Sequence, residues 1–247
     1  MKSLLTGLLL TTSLLYSCTG EEKPNTEKAV SAVNADNETM PMHPQLSSYI
    51  EMVSADMAAL PEDRKALLQE AADYIRTKQK LGKAAGLVFI CTHNSRRSHM
   101  SQLWAQTMAA YLGKPGLISS YSGGTEATAF NPRAVRAMEE AGFTVVNTDS
   151  NTAENPVYEV TYAPDGPQML CYSKKYDAEE NPQTGFAAIM TCSQADEACP
   201  VVRGAEVRIP VMYEDPKAYD GTAREAEAYR ERCRQIATEM LYMMSKV

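Results

Sequence analysis

One strand–loop–helix unit constrains the fold of this chain most. The apolar run from Gly86 to Ile90 predicts a short buried strand, and apolar residues at helical spacing from His99 to Leu112 predict a helix. Only the polar stretch from Cys91 to Ser98 separates the two. Because this loop is so short, its N–H groups and the start of the helix should converge on one point, an arrangement that binds anions.

Short apolar runs alternate with helical patterns along most of the remaining chain. The later predicted strands are 117–122, 143–146, 186–190 and 206–211, and the later predicted helices are 131–142 and 223–244. Such alternation indicates an α/β fold in which helices cover both faces of a parallel sheet. Ligands of these sheets bind beyond the carboxyl ends of the strands, which is where Cys91 falls.

Two segments add to this α/β pattern. Residues 45–83 predict a helical hairpin that turns at Leu60-Pro61. Residues from about 147 to 184 predict a β-rich insertion of two strands, 157–162 and 168–172. We therefore expect a single domain over 45–247, which is long enough to bury a sizeable core.

The first 18 residues predict an export signal. Their apolar run, Leu4 to Leu15, is too short to span a bilayer. The ending Leu15-Tyr16-Ser17-Cys18 resembles a bacterial lipoprotein signal, which predicts lipidation at Cys18; an ordinary secretory signal is the alternative. Residues 19–44 are polar and predict a disordered tether. We expect a membrane-anchored lipoprotein outside the cytoplasm, on the periplasmic side, and Thr19 favours the outer membrane.

Charge and cysteine content narrow the classes of function. A net charge of −7 provides no basic surface for nucleic acid. Of the six cysteines, five remain when Cys18 is set aside: Cys91, Cys171, Cys192, Cys199 and Cys233. Disulfide pairing is the rule outside the cytoplasm. An odd number leaves at least one free thiol per monomer or an intermolecular bond, as expected for a reactive cysteine.

The loop from Cys91 to Ser98 predicts an oxyanion site with a nucleophile at its base. Arg97 can grip two oxygens of a phosphate-like group, and the field of the loop favours the thiolate of Cys91, its nucleophilic form. The loop residues are Thr92, His93, Asn94, Ser95, Arg96, Arg97 and Ser98. A Cys-x5-Arg spacing alone arises often by chance, so the strand–loop–helix context carries this prediction.

Two later segments contribute further candidates. Cys192 and Cys199 follow the strand 186–190 and fit three interpretations: a structural disulfide, half of a zinc site, or a pair that resolves an oxidised adduct on Cys91. No Cys-x2-Cys pair or spaced histidine accompanies them, which disfavours zinc, and no metal site is predicted. Asp215, held just before Pro216 on a loop after a strand, is a natural general acid.

Together these motifs resemble the low-molecular-weight protein tyrosine phosphatases and their relatives, the thioredoxin-coupled arsenate reductases. The resemblance covers about Leu87 to Met240, apart from the insertion, and rests on motifs in the expected order. These are Cys91-x5-Arg97-Ser98, Tyr121-Ser-Gly-Gly124, Asn131-Pro132-x-Ala134-Val135, Cys192 with Cys199, and Asp215-Pro216. It implies a three-layer, doubly wound parallel sheet of the low-molecular-weight phosphatase type.

The resemblance also implies roles for individual residues. Cys91 is the nucleophile, Arg97 the oxyanion clamp and Asp215 the general acid. Ser98 donates a hydrogen bond to the thiolate, and Asn94 shapes the loop in a left-handed conformation. In the reductases, Cys192 then attacks Cys91 to release arsenite, and Cys199 closes the final disulfide. No cofactor is implied beyond a thiol electron donor, such as a thioredoxin-like reductant.

Three functions are compatible with these features. The cysteine trio favours an arsenate reductase, although its predicted location would require a membrane-supplied reductant. The alternative is a phosphatase acting on phosphotyrosine or small phosphate esters through a phosphocysteine, but Lys217 and Ala218 stand where a phosphotyrosine-binding aromatic wall is common. The third is a module that binds an oxyanion or a phosphopeptide without turnover, against which the intact nucleophile, clamp and acid argue.

Overall fold

The architecture comes from a computed structural model that describes residues 41–149, 154–198 and 201–247. The predicted signal 1–18 with its lipidation site Cys18, and residues 19–40 of the predicted tether, lie outside the described residues. Cys199 also lies outside them.

A four-stranded parallel sheet forms the centre of the described residues, in the order β2-β1-β6-β7. Its strands are β1 (Ala85–Cys91), β2 (Ile118–Gly124), β6 (Phe186–Met190) and β7 (Ala205–Ile209). The intervening strands, β3 (Thr144–Asn147), β4 (Tyr158–Thr161) and β5 (Met169–Cys171), form a separate sheet. The strand β1 lies inside the parallel sheet and is almost entirely buried, which is why it is a continuous apolar run.

Helices cover both faces of the parallel sheet, as predicted. They are α1 (Pro44–Asp56), α2 (Glu62–Lys80), α3 (Arg97–Tyr111), α4 (Pro132–Ala141), α5 (Ser193–Ala198) and α6 (Glu225–Ser245). Alternate side chains of β1 point to opposite faces. Leu87 and Phe89 join a large core with α1–α4 and α6, whereas Val88 and Ile90 join a smaller core that includes Ala195 of α5. Three short 3-10 helices, Met57–Ala59, Pro115–Leu117 and Pro216–Tyr219, complete the described elements.

The predicted helical hairpin is present as α1 and α2, both of which pack on α6. Leu46, Ile50 and Val53 of α1 are fully buried, as are Leu68 and Ile75 of α2, in line with the helical spacing of these apolar residues. The hairpin therefore shares the main hydrophobic core with the α/β elements.

The predicted strand 143–146 does not belong to the parallel sheet, so that part of the prediction was wrong. Instead β3 pairs antiparallel with β4, and β4 pairs antiparallel with β5. The predicted two-stranded insertion is thus part of a three-stranded sheet. The physical reason lies in burial: Thr144, Val146 and Asn147 are exposed, and a strand inside a parallel sheet needs both faces covered.

We find no helix among residues 41–149, 154–198 and 201–247 that combines the length and the apolar character needed to cross a bilayer.

Candidate active site

The thiol of Cys91 lies at the carboxyl end of β1, at the base of the predicted loop. Its side chain is almost entirely buried, and its Sγ lies 3.1 Å from Ser98 Oγ. The helix α3 begins at Arg97, and Arg96, the residue at its N-cap, makes no capping hydrogen bond through its side chain. The N–H groups at the start of α3 therefore keep their positive potential for a ligand of the loop.

Asn94 organises the loop from within. Its φ of 45° lies in the predicted left-handed region, and Asn tolerates this conformation better than most residues. Its Nδ2 donates to Ser98 Oγ at 2.9 Å. Because this oxygen already accepts a hydrogen bond, the hydroxyl hydrogen of Ser98 is free to point at Cys91 Sγ, the geometry that the role implied for Ser98 requires.

Arg97 binds the segment that carries Asp215. Its Nη1 donates to the carbonyl oxygen of Tyr213 at 3.0 Å, and its Nη2 donates to Asp215 Oδ2 at 2.6 Å. The guanidinium is buried, and its Nε has no hydrogen-bond acceptor among the described residues. A buried donor without an acceptor is costly, and an oxyanion in the loop is the kind of ligand that would satisfy it.

Asp215 is held at the start of the 3-10 helix Pro216–Tyr219. Its Oδ1 accepts from the N–H of Lys217 at 3.1 Å, a capping bond that fixes the carboxyl group. Of its side chain, 30% is exposed, so solvent reaches the carboxyl group. The fold thus brings Asp215 directly against Arg97, 118 positions earlier in the chain.

Cys192 lies directly behind the loop. It follows β6 and is fully buried, and its Sγ lies 3.4 Å from Thr92 Oγ1. It belongs to the same small hydrophobic core as Cys91, and the N–H of Ala195 donates to its sulfur at 3.4 Å. The helix α5 separates it from Cys199, whose position is outside the described residues.

The four described cysteines are all free thiols, and two of them lie away from the loop. Burial raises the pKa of Cys171 to about 12 and that of Cys233 to about 11, so both remain protonated and unreactive at neutral pH. Cys91 and Cys192 are the two that lie at the loop. No group of three or more His, Cys, Asp or Glu side chains in the described segments is arranged to hold a metal ion.

His93 and Ser95 complete the predicted loop. His93 is partly exposed at the rim, with its Nε2 3.6 Å from a carboxylate oxygen of Glu126. Its carbonyl oxygen accepts from Ser173 Oγ at 2.8 Å, and the carbonyl of Ser95 accepts from the N–H of Asn131 at 2.8 Å. The backbone carbonyl groups of these two residues therefore tie this part of the loop to the surrounding fold.

Several residues at the site escaped the sequence analysis. Tyr213 contributes a backbone carbonyl, for which no side-chain signature exists. Ser173 and Lys174, from the insertion, hold the loop from outside, and Tyr229 of α6 accepts a hydrogen bond from Arg96. The proximity of Tyr229 was in principle detectable, since the apolar stripe of α6 predicts which of its residues face the core.

Comparison of sequences finds similarity to arsenate reductases. No family model matches the chain. The arsenate reductase of Bacillus licheniformis is 30% identical over 155 residues, which are 63% of this chain and 91% of that enzyme. The arsenate reductase of Bacillus subtilis is 28% identical over 148 residues, or 60% of this chain and 86% of the relative.

Solved structures with a similar arrangement are phosphatases. A low-molecular-weight phosphotyrosine phosphatase of Vibrio cholerae has a TM-score of 0.44 at 14% identity, over 66% of this chain and 95% of that chain. A low-molecular-weight protein tyrosine phosphatase of T. tengcongensis also has a TM-score of 0.44 at 14% identity, over 66% of this chain and 100% of that chain. On the sequence match to the Bacillus licheniformis enzyme, which spans nearly its whole length, this chain belongs to the family of that arsenate reductase.

Proposed function

We propose that this protein is an arsenate reductase in which Cys91, Cys192 and Cys199 act in turn. The observation that carries the proposal is the second thiol at the loop: Cys192 Sγ lies 3.4 Å from Thr92 Oγ1, next to the nucleophile in the chain. A phosphatase has no use for this thiol in its reaction, whereas a reductase needs one within reach of the first. The names of the curated relatives point the same way.

The first step is attack of the Cys91 thiolate on arsenate held by the loop and by Arg97. A sulfur–arsenic bond forms and an arsenic–oxygen bond breaks. The oxygen leaves as water, with one proton from its own hydroxyl group and one from Asp215 in its protonated form. The oxyanion takes the place on Arg97 of the Asp215 carboxyl group, whose Oδ2 accepts from Arg97 Nη2 at 2.6 Å.

The second step transfers two electrons to arsenic. The thiolate of Cys192 attacks Cys91 Sγ, a disulfide forms between them, and the electron pair of the sulfur–arsenic bond remains on arsenic, which leaves as arsenite. Cys199 then attacks Cys192, which closes the Cys192–Cys199 disulfide and frees Cys91 as a thiolate. A dithiol reductant regenerates the pair, and a thioredoxin-like protein is the partner of this chemical class.

The alternative is a phosphatase that uses the same nucleophile, clamp and acid. Asp215, whose carboxyl group accepts from Lys217 N–H and from Arg97, would in its protonated form protonate the leaving oxygen of a phosphate ester. In that case Cys91 forms a phosphocysteine that water hydrolyses, and Cys192 plays no part in turnover.

The two functions separate in one paired assay. We would measure p-nitrophenyl phosphate hydrolysis and, with dithiothreitol, arsenite production for the wild type, Cys91→Ser and Cys192→Ser, with Cys171→Ala as a matched buried-cysteine control. We expect Cys91→Ser to lose both activities. Cys192→Ser should lose arsenite production by at least about 100-fold while its phosphate-ester hydrolysis remains. Cys171→Ala should retain the arsenite production and the ester hydrolysis of the wild type.

Arsenite production at the wild-type rate in Cys192→Ser would contradict the cascade. Hydrolysis of the ester without any arsenite production by the wild type would instead favour the phosphatase. Retention of tight phosphate or arsenate binding with no turnover in either assay would point to a binding module.

We further propose that Cys18 carries a lipid that anchors the protein outside the cytoplasm, in the outer membrane facing the periplasm. The support is the sequence alone, an apolar run that ends in Leu15-Tyr16-Ser17-Cys18. Cells fed a labelled fatty acid should incorporate it into the wild-type protein, whereas Cys18→Ala should remain unlabelled. Equal labelling of both would refute this anchor.

A further inference from the structure

Arg96 is a buried arginine of the loop that the mechanism above does not use. Its Nε donates to the hydroxyl oxygen of Tyr229 at 2.8 Å, and its Nη2 lies 3.7 Å from Asp220 Oδ2. Tyr229 in turn donates to Asp220 Oδ1 at 2.9 Å. Burial raises the pKa of Tyr229 to about 12, so its hydroxyl keeps the proton that it donates. These contacts hold the guanidinium of Arg96 in one place.

The same guanidinium lies beside the general acid. Asp215 sits between two arginines, with Oδ2 at 2.6 Å from Arg97 Nη2 and Oδ1 at 4.0 Å from Arg96 Nε. Asp215 and Asp220 flank the 3-10 helix Pro216–Tyr219. Arg96 therefore faces the carboxylates at both ends of this short segment, whereas Arg97 binds only the first of them.

An oxyanion in the loop competes with Asp215 for the donors of Arg97. The donor that now binds Asp215 Oδ2 is one of those that a bidentate grip on an oxyanion uses. A carboxylate released from Arg97 beside a bound anion is also repelled by it. If nothing held the released carboxylate, the cost of releasing it would be subtracted from the binding of the oxyanion.

We propose that Arg96 is a positioning residue that holds the Asp215 carboxylate when an oxyanion takes Arg97. This inference rests on the proposed oxyanion chemistry at Cys91. A small shift of Asp215 exchanges its ion-pair partner, and the carboxyl group stays beside the loop. The contacts of Arg96 with Tyr229 and Asp220 direct its guanidinium toward the segment 215–220.

The proposal predicts that the effect of Arg96 on oxyanion affinity passes through Asp215. We would measure the dissociation constant of inorganic phosphate at pH 8 for the wild type, Arg96→Met, Asp215→Asn and the double variant. With Asp215 present, Arg96→Met should weaken phosphate binding about tenfold, and in the Asp215→Asn background it should change binding by less than about twofold. Arg96→Lys, which retains the charge, should restore most of the affinity.

Two outcomes would overturn the proposal. Equal weakening of phosphate binding by Arg96→Met in both backgrounds would mean that Arg96 acts on the oxyanion or on the loop itself. No weakening in either background would mean that Arg96 does not hold the Asp215 carboxylate. If Arg96→Met does not fold, Tyr229→Phe serves in its place: it removes the bond that orients Arg96, and its weaker effect should likewise vanish with Asp215→Asn. A wild type that binds no phosphate would instead refute the oxyanion site and, with it, this inference.

Discussion

The backbone N–H of Lys174 donates to Asn94 Oδ1 at 2.9 Å, so the insertion directly holds the residue that shapes the loop from Cys91 to Ser98. The preceding Ser173 donates through its hydroxyl to the carbonyl of His93 at 2.8 Å. The carbonyl of Lys174 accepts from the N–H of Gly124, at the end of the neighbouring strand β2. The loop is thus braced from outside by a segment that lies about 80 positions further along the chain.

Asn94 contributes to the loop through its side-chain hydrogen bonds and through its left-handed backbone, and two substitutions separate these contributions. Asn94→Ala removes both side-chain hydrogen bonds and places a residue that tolerates a φ of 45° less well, whereas Asn94→Gly removes the bonds but keeps the backbone freedom. We expect Asn94→Ala to lower kcat/KM by about 100-fold, since small misplacements of reacting groups cost that much, and Asn94→Gly to lower it less. Equal losses in steady-state assays would show that the left-handed backbone is unimportant.

Gly124 is required by close packing against the loop. A Cβ on Gly124 would lie 2.1 Å from the carbonyl oxygen of Glu126, 2.7 Å from that of Thr92 and 2.8 Å from the N of Asn94. All three are backbone atoms that cannot move without distorting the loop. Gly124→Ala should therefore lower the free energy of unfolding by about 2–3 kcal/mol and abolish activity.

The matched control for this substitution is Gly116→Ala, where an added Cβ meets nothing within 4 Å. Urea unfolding of both variants measures the difference. Similar urea midpoints for the two variants would mean that the backbone around Gly124 can move to accommodate a Cβ without loss of stability.

The ion pair between Arg64 and Glu239 joins the helical hairpin to the closing helix. Arg64 donates to both carboxylate oxygens, at 2.9 and 2.7 Å, and its guanidinium lies 4.8 Å over the ring centroid of Tyr213. The side chain of Glu239 is only 1% exposed. Arg64→Met leaves that carboxylate buried without its partner, which should lower the free energy of unfolding by about 3–5 kcal/mol.

The chain supplies its own control for that prediction. Arg234 makes a similar two-oxygen contact with Asp56, at 2.6 and 2.9 Å, but at side-chain exposures of 48% and 33%. Arg234→Met should cost less than about 1 kcal/mol, because exposed ion pairs contribute little. Replacing both members of the buried pair, as Arg64→Met with Glu239→Leu, should recover much of the loss. Equal destabilisation by the two single arginine substitutions would refute the argument.

His99 makes stability depend on pH. Burial, with a smaller contribution from the charge of Lys174, lowers the pKa of His99 from 6.5 to about 3. As the pH falls below 6.5, the unfolded chain binds a proton at this residue and the folded protein does not. The contribution of His99 is therefore fully present above about pH 6.5 and is lost toward pH 3, by about 1.4 kcal/mol per pH unit.

The measurement is urea unfolding between pH 7 and pH 5 for the wild type and His99→Asn, whose amide can still reach Ser122 as the Nδ1 of His99 does at 3.2 Å. The slope of the unfolding free energy with pH should be shallower in the variant. Identical slopes would show that His99 binds its proton equally in the folded and the unfolded protein.

Sequence reasoning located the elements of the site better than their connections. The ends of β1 and β6 were predictable because buried parallel strands are continuous apolar runs, and ligands bind at the carboxyl ends of such strands. The contact of Arg97 with Asp215 was not predicted, because the resemblance implied only a separate role for each residue. The strand β3 was misassigned because a short apolar run does not reveal which sheet it joins; its exposed residues decided that. Contacts through backbone atoms, such as the carbonyl of Tyr213, have no side-chain pattern to predict them.

The sequence by itself determined that a cysteine ends a buried strand and is followed by a tight loop and a helix, since each of these is encoded in the spacing of neighbouring residues. Only the tertiary structure decided what surrounds that cysteine. Cys192 lies behind the loop, Lys174 braces it and Arg96 faces Asp215, in contacts that join positions about 80 to 120 apart. Such contacts depend on how elements pack, and packing is set by the whole core rather than by any local pattern.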